Sequence, residues 1–288
     1  MPVKLMNIPR NIPIRMRMVI NLRKNSSPFL SGDFFADLCD VSLYESRFRQ
    51  RPPSDSEINS ARSIFCPSHH YERMIIECGH LITAPILILG NSDRDFEGPL
   101  QELPSSVNKV YRQNSSYFDD KHRFIPIGIE NLRLGFNGQI KYFSEKYFRK
   151  NKSSKVLVGP FKPTHSERNA LLALTSNFDS DYVFLQGRLS PKDFAEIASG
   201  FRYVAAPRGN GLDTHRFWEA LYRGSYPVVL KSKWSELISS MGLPIVEIRS
   251  WSVAELRRVA NLELPNFNPK SLEALWADYW MEELGKED

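Results

Sequence analysis

The sequence predicts an α/β protein built on parallel sheets. Three observations point there. From Val156 onward, short apolar runs alternate with helix-patterned stretches, the signature of βαβ units. In the first half, Leu81–Leu89 is an apolar run bounded by Gly90, which suits a buried strand. The 288 residues accommodate one large domain or two lobes of ~150 residues each.

The elements follow in order. Met16–Leu22 alternates partly and is a candidate first strand. Ser31-Gly32-Asp33 breaks that pattern, and Phe34–Cys39 begins a helix capped by Ser31 or Asp33. Arg49–Asp55 is polar and contains prolines, so it reads as a loop, and Phe124–Ile129 is a short strand candidate. The basic, polar stretch Glu145–Lys155 reads as the linker between an N-terminal lobe, 1–150, and a C-terminal lobe, 151–288. Beyond it lie strand Val156–Val158, helix Ser166–Leu174, strand Asp181–Gln186, helix Lys192–Ser199 and strand Tyr203–Ala206. Helix Asp213–Arg223, strands Val228–Leu230 and Pro244–Ile248, helix Val253–Val259 and a last helix, Ser271–Leu284, complete the chain. Trp276 and Trp280, four apart, should share a face of that last helix and pack it back on the N-terminal lobe.

Composition excludes several classes. Hydrophobic residues make up 42% and charged residues 25%, as in ordinary globular proteins. No segment approaches the ~18 apolar residues of a membrane span. Met1–Lys24 is basic, but Arg, Pro and Asn interrupt its apolar residues, so no secretory signal is expected. A net charge of +5 suits an anionic ligand or peripheral contact with an anionic membrane. No single segment concentrates the excess and no RNA-recognition or zinc-finger signature occurs, which argues against nucleic acid. Three cysteines, Cys39, Cys66 and Cys78, fit a reducing compartment and a cytoplasmic protein.

One segment carries the chemistry, YVAAPRGNGLDTHRFWEALYRGSYPVVL from Tyr203 to Leu230. A strand enters a loop holding Gly209, Asn210 and Gly211, where glycines permit positive φ and close approach of a ligand. Asp213 or Thr214 can cap the helix that follows, whose N-terminus suits a diphosphate. Arg208 and Arg216 flank that end as bidentate phosphate donors. Phe217, Ala220, Leu221 and Gly224 share one helix face, and His215, Glu219 and Tyr222 the other. Glu219 leans toward the loop, where its carboxylate can accept two ribose hydroxyls. The same spacing also suits a plain strand–turn–helix with Arg216 and Glu219 as a surface pair.

The run PRGNGLDTHRFWEALYRGSYPVV resembles the signature of exostosin-like glycosyltransferases, whose pattern is close to P-R-G-x-G-x-D-T-H-R-x-W-E-A-L-x-x-G-x-x-P-V. Every fixed position is matched. Weaker pieces of the resemblance are Ser31-Gly32-Asp33, Gly90-Asn91-Ser92-Asp93, Gln113-Asn114, Pro126–Asn131 and Thr164–Arg168. The resemblance implies a GT-B-type fold of two facing Rossmann-like lobes. It also implies a nucleotide-sugar donor on the C-terminal lobe, a carbohydrate acceptor in the cleft, and a role in polysaccharide biosynthesis.

Asn91-Ser92-Asp93 follows a strand, and Asp33 follows the first strand candidate at a longer interval. Either carboxylate could be the base that takes the acceptor's proton, and either could cap a turn. Arg168 and Arg188 sit at strand ends of the C-terminal lobe, and Arg168 is the better candidate for the diphosphate. Cys66, His69, His70, Cys78 and His80 are zinc-type ligands at a spacing that matches no common zinc pattern. Asp179-Ser180-Asp181 has the D-x-D spelling but precedes its strand. No metal and no cofactor is therefore expected, and transfer should be metal-independent.

Overall fold

The structure is a computed structural model that describes residues 26–44, 51–148, 151–174 and 180–285. The strand expected at Met16–Leu22 and Asp179 of the D-x-D spelling lie outside the described residues. Among the described residues the protein is α/β, with two all-parallel five-stranded sheets, each flanked by helices and forming a Rossmann-like lobe. Two lobes built on parallel sheets are what the sequence predicts.

In the first sheet the strands run in chain order: β1 (Val41–Ser42), β2 (Ser63–Pro67), β3 (Ile86–Gly90), β4 (Lys109–Arg112) and β5 (His122–Phe124). β3 is its centre, buried at every position, with Ile88 in register with Phe65 and Tyr111. Helix α1 (Gly32–Leu38) starts where the Ser31 hydroxyl accepts the Phe34 N–H at 3.2 Å. Helices α2 (Asp55–Ser60) and α3 (Tyr71–Cys78) connect β1 to β2 and β2 to β3. α2 opens on a capping box formed by Ser54 and Glu57.

The second sheet contains β6 (Ser153–Val158), β7 (Tyr182–Phe184), β8 (Phe201–Ala205), β9 (Tyr226–Leu230) and β10 (Val246–Ile248). Its order is β10-β9-β8-β6-β7, so β6 lies between β7 on one side and β8 on the other. Its helices are α4 (Ser166–Ala173), α5 (Pro191–Ala198), α6 (His215–Tyr222), α7 (Lys233–Ser240) and α8 (Val253–Ala260), and α9 (Ala277–Gly285) is the last helix among the described residues. α5 shows why local sequence suffices for some elements: Ser190 caps it and Pro191 occupies its first turn, where a missing N–H costs nothing.

One apolar core runs through both lobes, from Phe34, Phe35 and Phe124 to Phe217, Trp218 and Trp234. Phe124 stacks on Trp218 at 6.4 Å, and Trp218 is completely buried.

Several expected elements changed. The last helix begins only at Ala277, after two short 3-10 turns, Pro269–Ser271 and Glu273–Leu275. Trp276 bridges Phe29 in the antiparallel sense and the Ala277 N–H donates to Pro28 O, which draws this backbone out of the helix. Trp276 and Trp280 therefore share no helix face, though Trp276 packs on Phe29 and Trp280 on Phe35. The strand expected at Phe124–Ile129 ends at Phe124: Pro126 has no N–H to give a ladder, and Gly128 then turns the chain at φ +64°. The expected linker is folded over much of its length. β6 starts at Ser153, and Lys152 Nζ donates to Ser199 O, Arg223 O and Ser225 Oγ. The apolar stretch Leu81–Leu89 is a strand only from Ile86 onward.

Candidate functional site

In an open parallel sheet, ligands bind beyond the carboxyl ends of the strands where the order reverses. Here that point lies between β6 and β8. The segments leaving them, from Gly159 and from Ala206, line a cleft of about 1450 Å³. Loops of the first lobe supply the facing wall through Asp93, Ile127 and Glu130.

The glycine loop behaves differently from its sequence expectation. Neither Gly209 nor Gly211 has positive φ. A Cβ on Gly209 would meet Arg168 Nη2 at 2.5 Å, and one on Gly211 would meet Asn114 Oδ1 at 2.5 Å. These positions make room for the protein's own side chains. The backbone donors are also spent internally. The N–H of Arg208 goes to Glu167 Oε2 (3.2 Å), that of Leu212 to Asp95 Oδ1 (3.2 Å) and that of Asp213 to Asn114 Oδ1 (2.8 Å). What reads in the sequence as a phosphate cradle is, at these donors, filled by carboxylate and amide oxygens.

The expected site residues therefore divide. Arg208 turns its guanidinium onto Asp95 of the first lobe and does not line the cleft. Asp213 is buried, and its carboxylate accepts Ile127 N (2.7 Å) and Trp218 Nε1 (2.7 Å) as well as the Thr214 N–H. Burial pushes its pKa up to about 7 against the pull of those bonds. Thr214 takes the N-cap position of α6 without a side-chain bond, and its buried Oγ1 at the cleft has no partner among the described residues. Asp33 is also absent from the cleft wall. It is buried and ion-paired with Arg133 at 3.0 Å, and it accepts Asn91 Nδ2 at 3.3 Å.

Others converge on the cleft. Asp93 is exposed there and accepts Asn210 Nδ2 at 3.2 Å. His215 Nδ1 lies 2.8 Å from Gly128 O; a carbonyl only accepts, so Nδ1 donates and Nε2 is left for the cleft. Arg168 donates to Arg208 O (3.1 Å) and Thr164 Oγ1 (3.1 Å). Burial lowers its pKa, with Asp93 and Glu167 opposing. Arg188 is exposed in the wall and has no partner among the described residues.

The floor is a charge triad on one helix. Glu219 Oε2 stands 3.9 Å from Arg216 Nε and 3.5 Å from Arg223 Nη1. Burial pushes Arg216 down to about 10 and lowers Arg223 as well, with Glu219 opposing both. Two poorly solvated guanidiniums thus share one carboxylate. Arg216 also donates to Gly159 O (3.0 Å) and lies 4.0 Å over the Phe194 ring. The helix face opposite the sheet is itself covered: Glu219 and Tyr222 are buried, the latter donating to Leu275 O (2.7 Å) and accepting from Leu30 N (2.9 Å).

No protein-family profile matches the chain, and no curated protein does. Among solved structures the chain is similar to AviGT4, described as a glycosyltransferase involved in avilamycin A biosynthesis. The TM-score is 0.42 and the identity 14%, with 82% of this chain and 77% of that chain covered. That overlap is too loose to carry a residue's role from one chain to the other.

Sequence reasoning missed Asp95, Lys162, Phe136 and any role for Glu130. They come from loops with no periodic pattern, and only folding sets Lys162, Phe136 and Glu130 on the cleft wall. No described helix is long and apolar enough to cross a membrane.

Proposed function

We propose that this protein is a nucleotide-sugar-dependent glycosyltransferase of hexosyl or glycuronosyl type, acting on a carbohydrate acceptor in polysaccharide biosynthesis. One observation carries the reading. Arg216 and Arg223 share the single carboxylate of Glu219 beside a large cleft at the sheet's switch point, with Arg168 and Arg188 on its walls. An anion placed there relieves cationic charge that burial leaves poorly solvated, and a diphosphate fits that need. Glu219 keeps acceptor capacity for ribose hydroxyls.

The chemistry proposed is an inverting displacement, with stereochemistry as the exostosin-like resemblance implies. A base at the cleft, Asp93, takes the acceptor hydroxyl's proton, and that oxygen attacks the anomeric carbon from the face opposite the leaving group. The bond from anomeric carbon to phosphate oxygen breaks, and its electron pair leaves on the diphosphate. Fixed cations such as Arg168 and Arg216 stabilise that developing charge without reorganising. The product sugar is inverted.

A thermal-shift panel of UDP, GDP, ADP and CDP tests the reading. At ~100-fold over its dissociation constant a ligand stabilises by ~2.7 kcal/mol. A nucleoside diphosphate that raises the melting temperature supports the site, and no shift with any of them sinks it. Slow donor hydrolysis then separates a transferase from a protein that only binds the nucleotide.

A further inference from the structure

The loop Glu130–Gly138 carries a feature that the donor chemistry does not use. Phe136 is 54% exposed, yet it lines the cleft, on the wall supplied by the first lobe. A large aromatic ring left open on the wall of a cleft is a binding surface in want of an apolar face. Glu130 and Asn137 line the same stretch. Glu130 accepts the Asn137 N–H through Oε2 (2.8 Å) and Asn137 Nδ2 through Oε1 (3.2 Å). The carboxylate is thereby oriented, and each oxygen retains a lone pair for a hydroxyl donor.

The loop is held stiffly. Arg133 is ion-paired with Asp33 of α1 at 3.0 Å, and Gln139 Nε2 donates to Gly135 O at 3.0 Å. Gly135 turns at φ +75°, and a Cβ on Gly138 would collide with Glu130 O, so the loop's two ends lie against each other. A platform fixed before binding loses little entropy when a ligand arrives.

We infer that this loop is the acceptor subsite, and that its ligand is a pyranose ring stacked on Phe136 with neighbouring hydroxyls donating to Glu130. The inference rests on the transferase reading above. A flat aromatic face beside an oriented carboxylate matches a sugar, which has an apolar face of C–H groups and a rim of hydroxyls. Rings with equatorial substituents present the flattest C–H face, so gluco-configured sugars are preferred. Asp33 then acts as a positioning residue, holding the platform through Arg133.

The test uses the full chain and saturation-transfer NMR with methyl pyranosides of glucose, galactose, mannose and N-acetylglucosamine, both anomers of each. Wild-type protein should saturate the ring protons of the gluco-configured sugars. Phe136→Ala should abolish that transfer or weaken affinity about tenfold, the equivalent of ~1.4 kcal/mol, while Phe136→Trp should retain it. Asp33→Asn should weaken it by a smaller factor. The melting shift given by nucleoside diphosphates should be the same in Phe136→Ala as in wild type, which shows that the variant is folded and its donor cleft intact. Transfer that is equal in Phe136→Ala and wild type, or absent in wild type, overturns the subsite while the nucleotide shift stands. Absence of any nucleotide shift in wild type sinks the transferase reading, and the acceptor subsite with it.

Discussion

The carboxylate of Asp213, in the loop after β8, accepts the backbone N–H of Ile127, beyond β5, at 2.7 Å. One buried side chain thus bonds the two lobes together and also holds Trp218 Nε1 at 2.7 Å.

This relationship gives a pH dependence. Burial raises Asp213 from 3.8 to about 7, so the folded protein binds its proton more tightly than the unfolded chain. Between those values the native state holds more protons, and stability falls as pH rises through about 4 to 7, then levels off. Three units correspond to ~4 kcal/mol as an upper bound. Asp213→Asn should be less stable, because its amide N–H₂ faces a donor, and its melting temperature should vary less between pH 5 and 7. Parallel pH profiles for the two proteins would show that Asp213 titrates normally.

Arg208 and Asp95 pair between the lobes with about a quarter of each side chain exposed. Their coupling in a double-mutant cycle should be about 1 kcal/mol, reduced by solvent from the buried-pair range. Arg208→Ala should therefore lower the melting temperature and leave nucleoside diphosphate affinity close to wild type. A large affinity loss with unchanged melting would return Arg208 to the phosphate.

Glu219→Gln should act on both quantities. The glutamine keeps volume but leaves Arg216 and Arg223 without a counter-charge beside the cleft. Apo stability should fall by about 1–3 kcal/mol, since the existing contacts are long. Nucleotide affinity should fall by a similar ~1–3 kcal/mol through the lost ribose acceptor. Calorimetry that shows undiminished affinity would remove Glu219 from the donor site.

Metal dependence is the fourth test. The cleft offers Arg168, Arg188 and Arg216 as its charge-stabilising groups. Turnover should accordingly persist in EDTA. Complete loss in EDTA, restored by manganese, would overturn a purely guanidinium-based mechanism.

The sequence by itself determined the second sheet almost strand by strand. Its strands are apolar, and Ser190, Ser252 and Gly224 punctuate its helices by local chemistry: two side chains that cap, and one residue that turns at φ +67°. The short strands of the first sheet escaped. β1 has two residues, and β4 contains Arg112, a fully buried arginine that donates to Gly98 O and Tyr117 O, bonds no pattern predicts. The same limit applied at the site. The run from Pro207 to Gly224 could be read as special, but the partner of each side chain could not. Arg208 meets Asp95, and Asp213 meets Ile127 and Asn114, only because the loop after β8 closes on the first lobe. Charge and helix phase are local properties and are written in sequence. Whether a cation meets a ligand or the protein's own carboxylate depends on chain segments about a hundred residues away, and only tertiary packing decides it.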